Sequence, residues 1–189
     1  MRDDVMNATK VLMDEHRVIE RVLTALETAV ERLEKGDPVA PSFFLRAADF
    51  IKGYADGCHH HKEEDILFPA MREAGIPSAG GPVGVMLEEH AEARQLTAAM
   101  RAGAERMELG DADAHEDVAR SALGYVALLR MHIAKEDQGF FPMADDAIQG
   151  RAREEIAEAF ERVEREEVNQ GIHERYLALA ASLEREASL

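Results

Sequence analysis

Two segments of the chain repeat a pattern of histidine, lysine, glutamate, phenylalanine and proline in the same register. Residues 59–69 read HHHKEEDILFP and residues 132–142 read HIAKEDQGFFP. In each segment a histidine is followed four residues later by a glutamate, so on a helix both side chains lie on one face, one turn apart. This repeat predicts two similar helix hairpins related by a pseudo-two-fold axis.

Each segment is preceded at nearly the same distance by a Glu-His dipeptide. The first dipeptide ends at His16, 43 positions before His59, and the second ends at His90, 42 positions before His132. Each predicted hairpin therefore contributes one histidine from its first helix and a His-x-x-x-Glu pair from its second.

Apolar residues recur at spacings of three and four along most of the chain, which is typical of amphipathic helices, and no segment shows strand alternation. We expect helices over 5–35, 41–68, 83–108, 114–140, 151–168 and 172–187. Pro69 and Pro142 should kink or end the second and fourth of them. Short loops between long helices favour antiparallel neighbours. The predicted fold is all-α: an up-down-up-down four-helix bundle over 1–148, with one or two additional C-terminal helices over 149–189 packed on or beside it.

The repeated residues lie on the inward stripes of the predicted helices. Buried ionisable groups are costly unless they are paired or bind a metal. A single core histidine is more often a hydrogen-bonded structural residue, but four histidines and two glutamates in register favour a metal site. A glutamate so placed can bind one metal or bridge two. The candidate ligands are His16, His59, Glu63, His90, His132 and Glu136.

The second helix offers an alternative pair, because His60 and Glu64 are also four residues apart. These two residues continue a polar stripe through Gly53 and Asp56, and the fourth helix has no equivalent pair. We therefore expect His60, Glu64 and His61 to be exposed or to lie behind the ligands.

Residues 8–145 resemble the hemerythrin-like (HHE cation-binding) family in the order His, His-x-x-x-Glu, His, His-x-x-x-Glu and in the Leu-Phe-Pro and Phe-Phe-Pro endings. Ferritin-like proteins also hold metals in a bundle, but they use Glu-x-x-His pairs and more carboxylates. The resemblance implies two non-haem iron ions between the four helices, joined by an oxo or hydroxo bridge. It also implies terminal histidine ligands and bridging carboxylates at Glu63 and Glu136.

The oxygen carriers of that family have a further histidine four residues before the equivalent of His90, where this chain has Met86. A thioether is a weak donor for ferric iron, so we do not expect Met86 to bind. Open positions on both irons would favour redox chemistry on a small oxidant, such as peroxide, dioxygen or nitric oxide. A second function stays open: a non-enzymatic module that binds or senses dioxygen, iron or redox state.

Some residues outside the repeat are secondary candidates. Glu167 and His173 belong to the C-terminal segment, which either is a solvated helix or reaches an open metal position or the channel to it. Tyr125 lies two turns before His132 and either hydrogen-bonds near the site or fills the core. Cys58 is expected to be a packed small residue, and as the single cysteine it excludes an intramolecular disulfide.

The formal net charge of −16, from 22 basic and 38 acidic residues, limits the partners. Such an acidic surface repels nucleic acid and anionic membranes, and no apolar run is long enough to span a bilayer. No secretory signal is evident at the N-terminus. We expect a cytoplasmic protein whose partner is a small-molecule oxidant (H2O2, O2 or NO).

Overall fold

The computed structural model describes residues 7–189, so the predicted start of the first helix at residue 5 lies outside the described residues. Within 7–189 the chain forms six helices and no strand, which confirms the predicted all-α class. The helices are α1 Ala8–Glu34, α2 41–73, α3 Pro82–Glu108, α4 114–147, α5 Arg151–Asn169 and α6 Ile172–Ala187.

Helices α1 to α4 form the predicted four-helix bundle. α3 packs against α2 and α4, and α1 packs against α4. The connections 35–40, 74–81 and 109–113 are short, so helices that follow one another along the chain run antiparallel. α6 lies along α1 and α2, and α5 contacts α6, α1 and the Glu63–Leu67 turn of α2. The two C-terminal helices therefore cover the α1–α2 side of the bundle.

Local sequence signals set the ends and the packing of the helices. The side chain of Asn7 caps α1 by accepting a hydrogen bond from the Lys10 backbone N–H at 3.4 Å. Gly36 follows the end of α1 with a φ of 83°, a value that favours glycine. Gly53 serves packing instead, because a Cβ there would overlap the ring of Tyr176 in α6. In the part of the chain that the structure describes, no helix is long and apolar enough to cross a membrane.

The helices α2 and α4 continue beyond Pro69 and Pro142, past the predicted ends at 68 and 140. In each helix a five-residue π-helical turn comes just before the proline, Glu63–Leu67 in α2 and Glu136–Phe140 in α4. Proline lacks an N–H, and its ring clashes with the carbonyl four residues back in an α-helix. The wider π turn, with hydrogen bonds between residues five apart, relieves that clash and lets the helix continue.

The apolar core has two parts with a polar layer between them. The larger part includes Leu26 and Phe44, and the smaller part includes Phe68 and Phe141. Along each bundle helix the residues of the internal repeat fall between the two parts, as His16 does in α1. The fold thus collects the repeated polar residues in one buried layer.

Candidate metal centre

The polar layer brings together the six residues that the internal repeat predicts as ligands. α1 and α3 each supply one histidine, and α2 and α4 each supply a histidine and a glutamate. No member of the set exposes more than 1% of its surface. The six residues are His16, His59, Glu63, His90, His132 and Glu136.

The four histidines form two pairs, each of which joins the two helices of one hairpin. In the first pair, His16 Nε2 is 3.0 Å from His59 Nε2. In the second pair, His90 Nε2 is 3.1 Å from His132 Nε2. All four Nε2 atoms therefore point into the layer, where each pair can face a common cation.

Each glutamate lies between the two histidine pairs and contacts both of them. Glu63 Oε1 is 3.5 Å from His59 Nε2, and its Oε2 is 3.4 Å from His90 Nε2. Glu136 contacts the other member of each pair in the same way, at 3.2 Å on both sides. Each carboxylate thus places one oxygen beside the first pair and the other oxygen beside the second pair, which is the arrangement of a carboxylate that bridges two cations.

The donor set fits two metal ions. The four carboxylate oxygens are buried, and none accepts a hydrogen bond from residues 7–189. A buried anion without donors is costly, and a cation supplies the missing partner. Two groups of donors converge, each with its ligand atoms within 4.8 Å of one another: His16, His59, Glu63 and Glu136; and His60, Glu63, His90 and His132. Imidazole with carboxylate suits iron and similar divalent metals.

Each of the four paired histidines has its other ring nitrogen, Nδ1, bound to a carboxylate on a neighbouring helix. The Nδ1–oxygen distances are 2.7 Å for His16–Asp137, 3.0 Å for His59–Glu15, 2.7 Å for His90–Glu64 and 2.8 Å for His132–Glu89. Such bonds fix the tautomer and aim Nε2 at the metal. Sequence reasoning assigned no role to Glu15, Glu89 and Asp137. The signal was available, because each supporting carboxylate is the chain neighbour of a predicted ligand at equivalent places in both repeats.

The charges around each histidine pair shift its two pKa values in opposite directions. Burial lowers the pKa of His16, but its carboxylate partners outweigh burial and raise it to about 9. The pKa of His59 falls well below its usual range because of burial and the neighbouring His16. In the second pair, burial lowers the pKa of His90, whereas Glu136 outweighs burial and raises that of His132. A cation bound between the rings of either pair therefore competes with a proton on the histidine whose pKa is raised.

His60 lies closer to the site than its helical stripe predicts. Its side chain is buried, its ring stacks on that of His90 with centroids 3.8 Å apart, and one of its nitrogens belongs to the second donor group. His60 is therefore not exposed, and it lies buried against the predicted ligand His90. Glu64 does lie behind the ligands, through its bond to His90, and His61 is about half exposed beside Asp65.

The secondary candidates lie outside both donor groups. Glu167 and His173 form a separate cluster with Glu164. Tyr125 is fully buried, and its hydroxyl has no hydrogen-bond partner among the described residues. Cys58 is buried and packed as expected, with its Sγ 3.2 Å from the carbonyl oxygen five residues back.

Lys62 links the C-terminal helices to the first histidine pair. Its side chain is fully buried, and its Nζ is 2.5 Å from Glu15 Oε1, the carboxylate that holds His59. The same ammonium contacts Glu164 and, at 3.3 Å, Glu167 of α5. A continuous chain of polar contacts therefore runs from α5 to the centre.

A cavity of about 280 Å³ opens between α2 and α3 and reaches the ring of His60. The small residues Ala48, Ala93 and Ala98 leave this space, and the polar side chains His60 and Tyr125 also line it. Since a water molecule takes about 30 Å³ in the liquid, the cavity has room for a small solute next to the metal-binding layer.

A helical bundle with this buried set of imidazoles and shared carboxylates defines a cation-binding bundle protein. Residues 7–144 match the hemerythrin HHE cation binding domain. The chain belongs to the hemerythrin HHE cation-binding family, which confirms the resemblance found in its sequence.

Two relatives illustrate the similarity to other proteins. The chain is 26% identical over 156 residues to the uncharacterized protein Rv1995 of Mycobacterium tuberculosis, a match that covers 82% of this chain and 60% of that protein. It is 34% identical over 83 residues to the iron-sulfur cluster repair protein YtfE of Escherichia coli, covering 44% of this chain and 37% of YtfE. The chain thus spans less than two thirds of either relative. No solved structure matched the chain.

Proposed function

We propose that this is a non-haem di-iron protein that reacts with a small oxidant: peroxide, dioxygen or nitric oxide. The observation that carries the proposal is the position of Glu63 and Glu136, each of which contacts both histidine pairs. A single ion does not need a carboxylate that is shared between two sets of donors. Two adjacent ions are bridged by such a carboxylate.

The chain's own residues divide into two metal-holding sets. His16 and His59 would hold one iron, and His90 and His132 the other, with Glu63 and Glu136 shared between them. A bound pair of irons would supply the two electrons that, with two protons, reduce one peroxide to water, and oxidation of a second peroxide to dioxygen would return them. The supporting carboxylates hold the histidine tautomers, so that each Nε2 keeps its lone pair for the metal.

The surroundings of the centre favour small reactants. His16 stacks on Phe141 with ring centroids 5.6 Å apart, and His90 stacks on Phe68 at 5.8 Å. These aromatic rings exclude bulk water on one side of the layer. The cavity between α2 and α3 provides space on the His60 side that a diatomic molecule or a peroxide fills easily.

The similarity to YtfE supports iron as the metal, because the name of that protein ties it to iron–sulfur clusters. The matched region is less than half of this chain. We therefore infer the identity of the metal from that similarity and the type of reaction from the geometry of the site.

One observation favours the alternative function, a module that binds or senses dioxygen, iron or redox state. The contacts from α5 through Lys62 and Glu15 to His59 give the C-terminal helices a direct connection to the centre. A change at the metals could alter these contacts and thereby change a surface to which a partner binds.

Kinetics of the iron-loaded full chain test the proposal. Peroxide consumption would be followed at matched iron content in the unaltered protein and in His61→Ala, a control because His61 is about half exposed and outside both donor groups. Many peroxide molecules consumed per centre, equally in both proteins, support the oxidant-consuming function. A stable dioxygen adduct without turnover supports the binding module. Iron-loaded protein that shows neither behaviour contradicts the proposal.

A further inference from the structure

A second cluster of metal-binding side chains lies outside the polar layer, where α5 meets α6. Glu164 and Glu167 are three residues apart, so their side chains lie on one face of α5. Gly171, with a φ of 66°, reverses the chain and places His173 in the first turn of α6. Ligand atoms of Glu164, Glu167 and His173 all lie within 4.8 Å of one another. One imidazole and two carboxylates form a donor set that zinc and similar divalent metals accept.

The surroundings of this cluster carry more negative than positive charge. The buried ammonium of Lys62 contacts three carboxylates, those of Glu15, Glu164 and Glu167. Within residues 7–189, no arginine and no second lysine forms an ion pair with any of the three. Glu15 and Glu167 are themselves buried. An excess of buried negative charge is costly, and a bound cation would balance it.

A buried hydroxyl without a partner adjoins the same cluster. Tyr54 exposes 1% of its surface, and its hydroxyl has no hydrogen-bond partner among residues 7–189. Its ring packs against the ring of His173 with the centroids 6.1 Å apart. Burial, followed by nearby negative charges that include those of Glu164 and Glu167, raises the pKa of Tyr54, so the hydroxyl lies close to these carboxylates. A hydroxyl that is buried beside carboxylates but bonded to none of them marks a place for a further polar group.

We propose that Glu164, Glu167 and His173 hold one divalent metal ion of the zinc type, in a site separate from the bundle centre. Three protein donors leave a fourth tetrahedral position for water. The Tyr54 hydroxyl is the hydrogen-bond partner for that water. Because both glutamates also contact Lys62, occupancy of this site would act on the polar contacts that run from α5 to the centre.

Zinc binding to the iron-loaded full chain tests the inference. Zinc would be added in excess, the free metal removed, and the zinc and iron of each chain counted. We expect the unaltered protein to hold one more zinc ion than His173→Ala or Glu167→Gln, with its iron content unchanged. Zinc X-ray absorption should show one imidazole ligand, with oxygen in the remaining positions. The result is a difference between variants, so it does not depend on the number of metals at the centre.

Control variants separate this site from adventitious surface binding. Glu166→Gln and His115→Ala change exposed side chains of the same types and should keep the zinc. His173→Ala and Glu167→Gln should bind it at least about tenfold more weakly. His173 makes no ion pair with Lys62, so His173→Ala keeps the test valid if Glu167→Gln loosens α5. Equal zinc in the unaltered chain and in His173→Ala would overturn the inference, as would zinc that only replaces iron.

Discussion

Replacing Lys62 by methionine should destabilise the protein far more than replacing Lys135, its counterpart in the internal repeat. Each lysine contacts a carboxylate that holds a histidine: Lys62 contacts Glu15, and Lys135 contacts Glu89. The two contacts differ in burial. The side chain of Lys62 is 0% exposed under α5, and that of Lys135 is 44% exposed. The comparison therefore sets a buried lysine in contact with three carboxylates against an exposed lysine in contact with one.

The magnitudes follow from these exposures. Removing one partner of a buried ion pair leaves an uncompensated charge and costs about 3–5 kcal/mol. Burial lowers the pKa of Lys62, but Glu15 outweighs burial and raises it, so the lysine is charged and Glu15 depends on it. An exposed pair contributes about 0–1 kcal/mol. For a chain of this size 1 kcal/mol shifts the melting temperature by about 2–4 °C. We expect a fall of about 6–20 °C for Lys62→Met and less than about 4 °C for Lys135→Met.

Thermal and urea unfolding should be measured on chelator-treated protein, so that loss of metal does not add to the difference. Lys52→Met provides a control, because Lys52 is an exposed residue of the same helix. Equal falls for Lys62→Met and Lys135→Met would refute the reasoning, since burial by α5 would then have no energetic consequence.

Three further predictions concern the metals. The variants His59→Ala and His132→Ala should each lose bound iron, while His61→Ala retains it, as measured by metal analysis. Equal iron content in all three variants would show that the donor set is misassigned. Chelation should lower the melting temperature by about 8–16 °C, because metal at a thousandfold excess over its Kd adds about 4 kcal/mol to the free energy of unfolding. An unchanged melting temperature would mean that the site is not assembled in the folded protein. Ferrous iron binding should release protons and strengthen as pH rises from 6 to 8, because the pKa of His16 is raised to about 9, and burial beside Glu136 raises that of Glu63 well above its usual range. Calorimetry in buffers of different ionisation enthalpy detects this proton release, and pH-independent binding would contradict the prediction.

The bundle and its inward residues could be predicted from the sequence because every bundle helix has a regular apolar stripe. His16 and His90 follow that stripe in unbroken α-helix, and the structure places both in the polar layer. The helix ends could not be predicted equally well. The effect of Pro69 and Pro142 depends on the π turn before each, and helical periodicity alone does not reveal a π turn.

The burial of His60 could not be predicted from the helical stripe for a related reason. The ten residues Ile51–His60 form a π-helical stretch, in which each turn takes more residues than an α-helical turn. The inward face therefore drifts along the chain, and His59 and His60 can both turn towards the layer. The contacts of Glu167 depend on how α5 folds back onto Lys62, which no local pattern in the sequence specifies.

Iron content together with Mössbauer spectroscopy of the reconstituted full chain tests the two-metal centre most directly. We expect two irons per chain that are magnetically coupled, because Glu63 and Glu136 each contact both histidine pairs. One iron per chain, two uncoupled irons, or zinc alone under iron-replete conditions would contradict a di-iron centre bridged by these carboxylates.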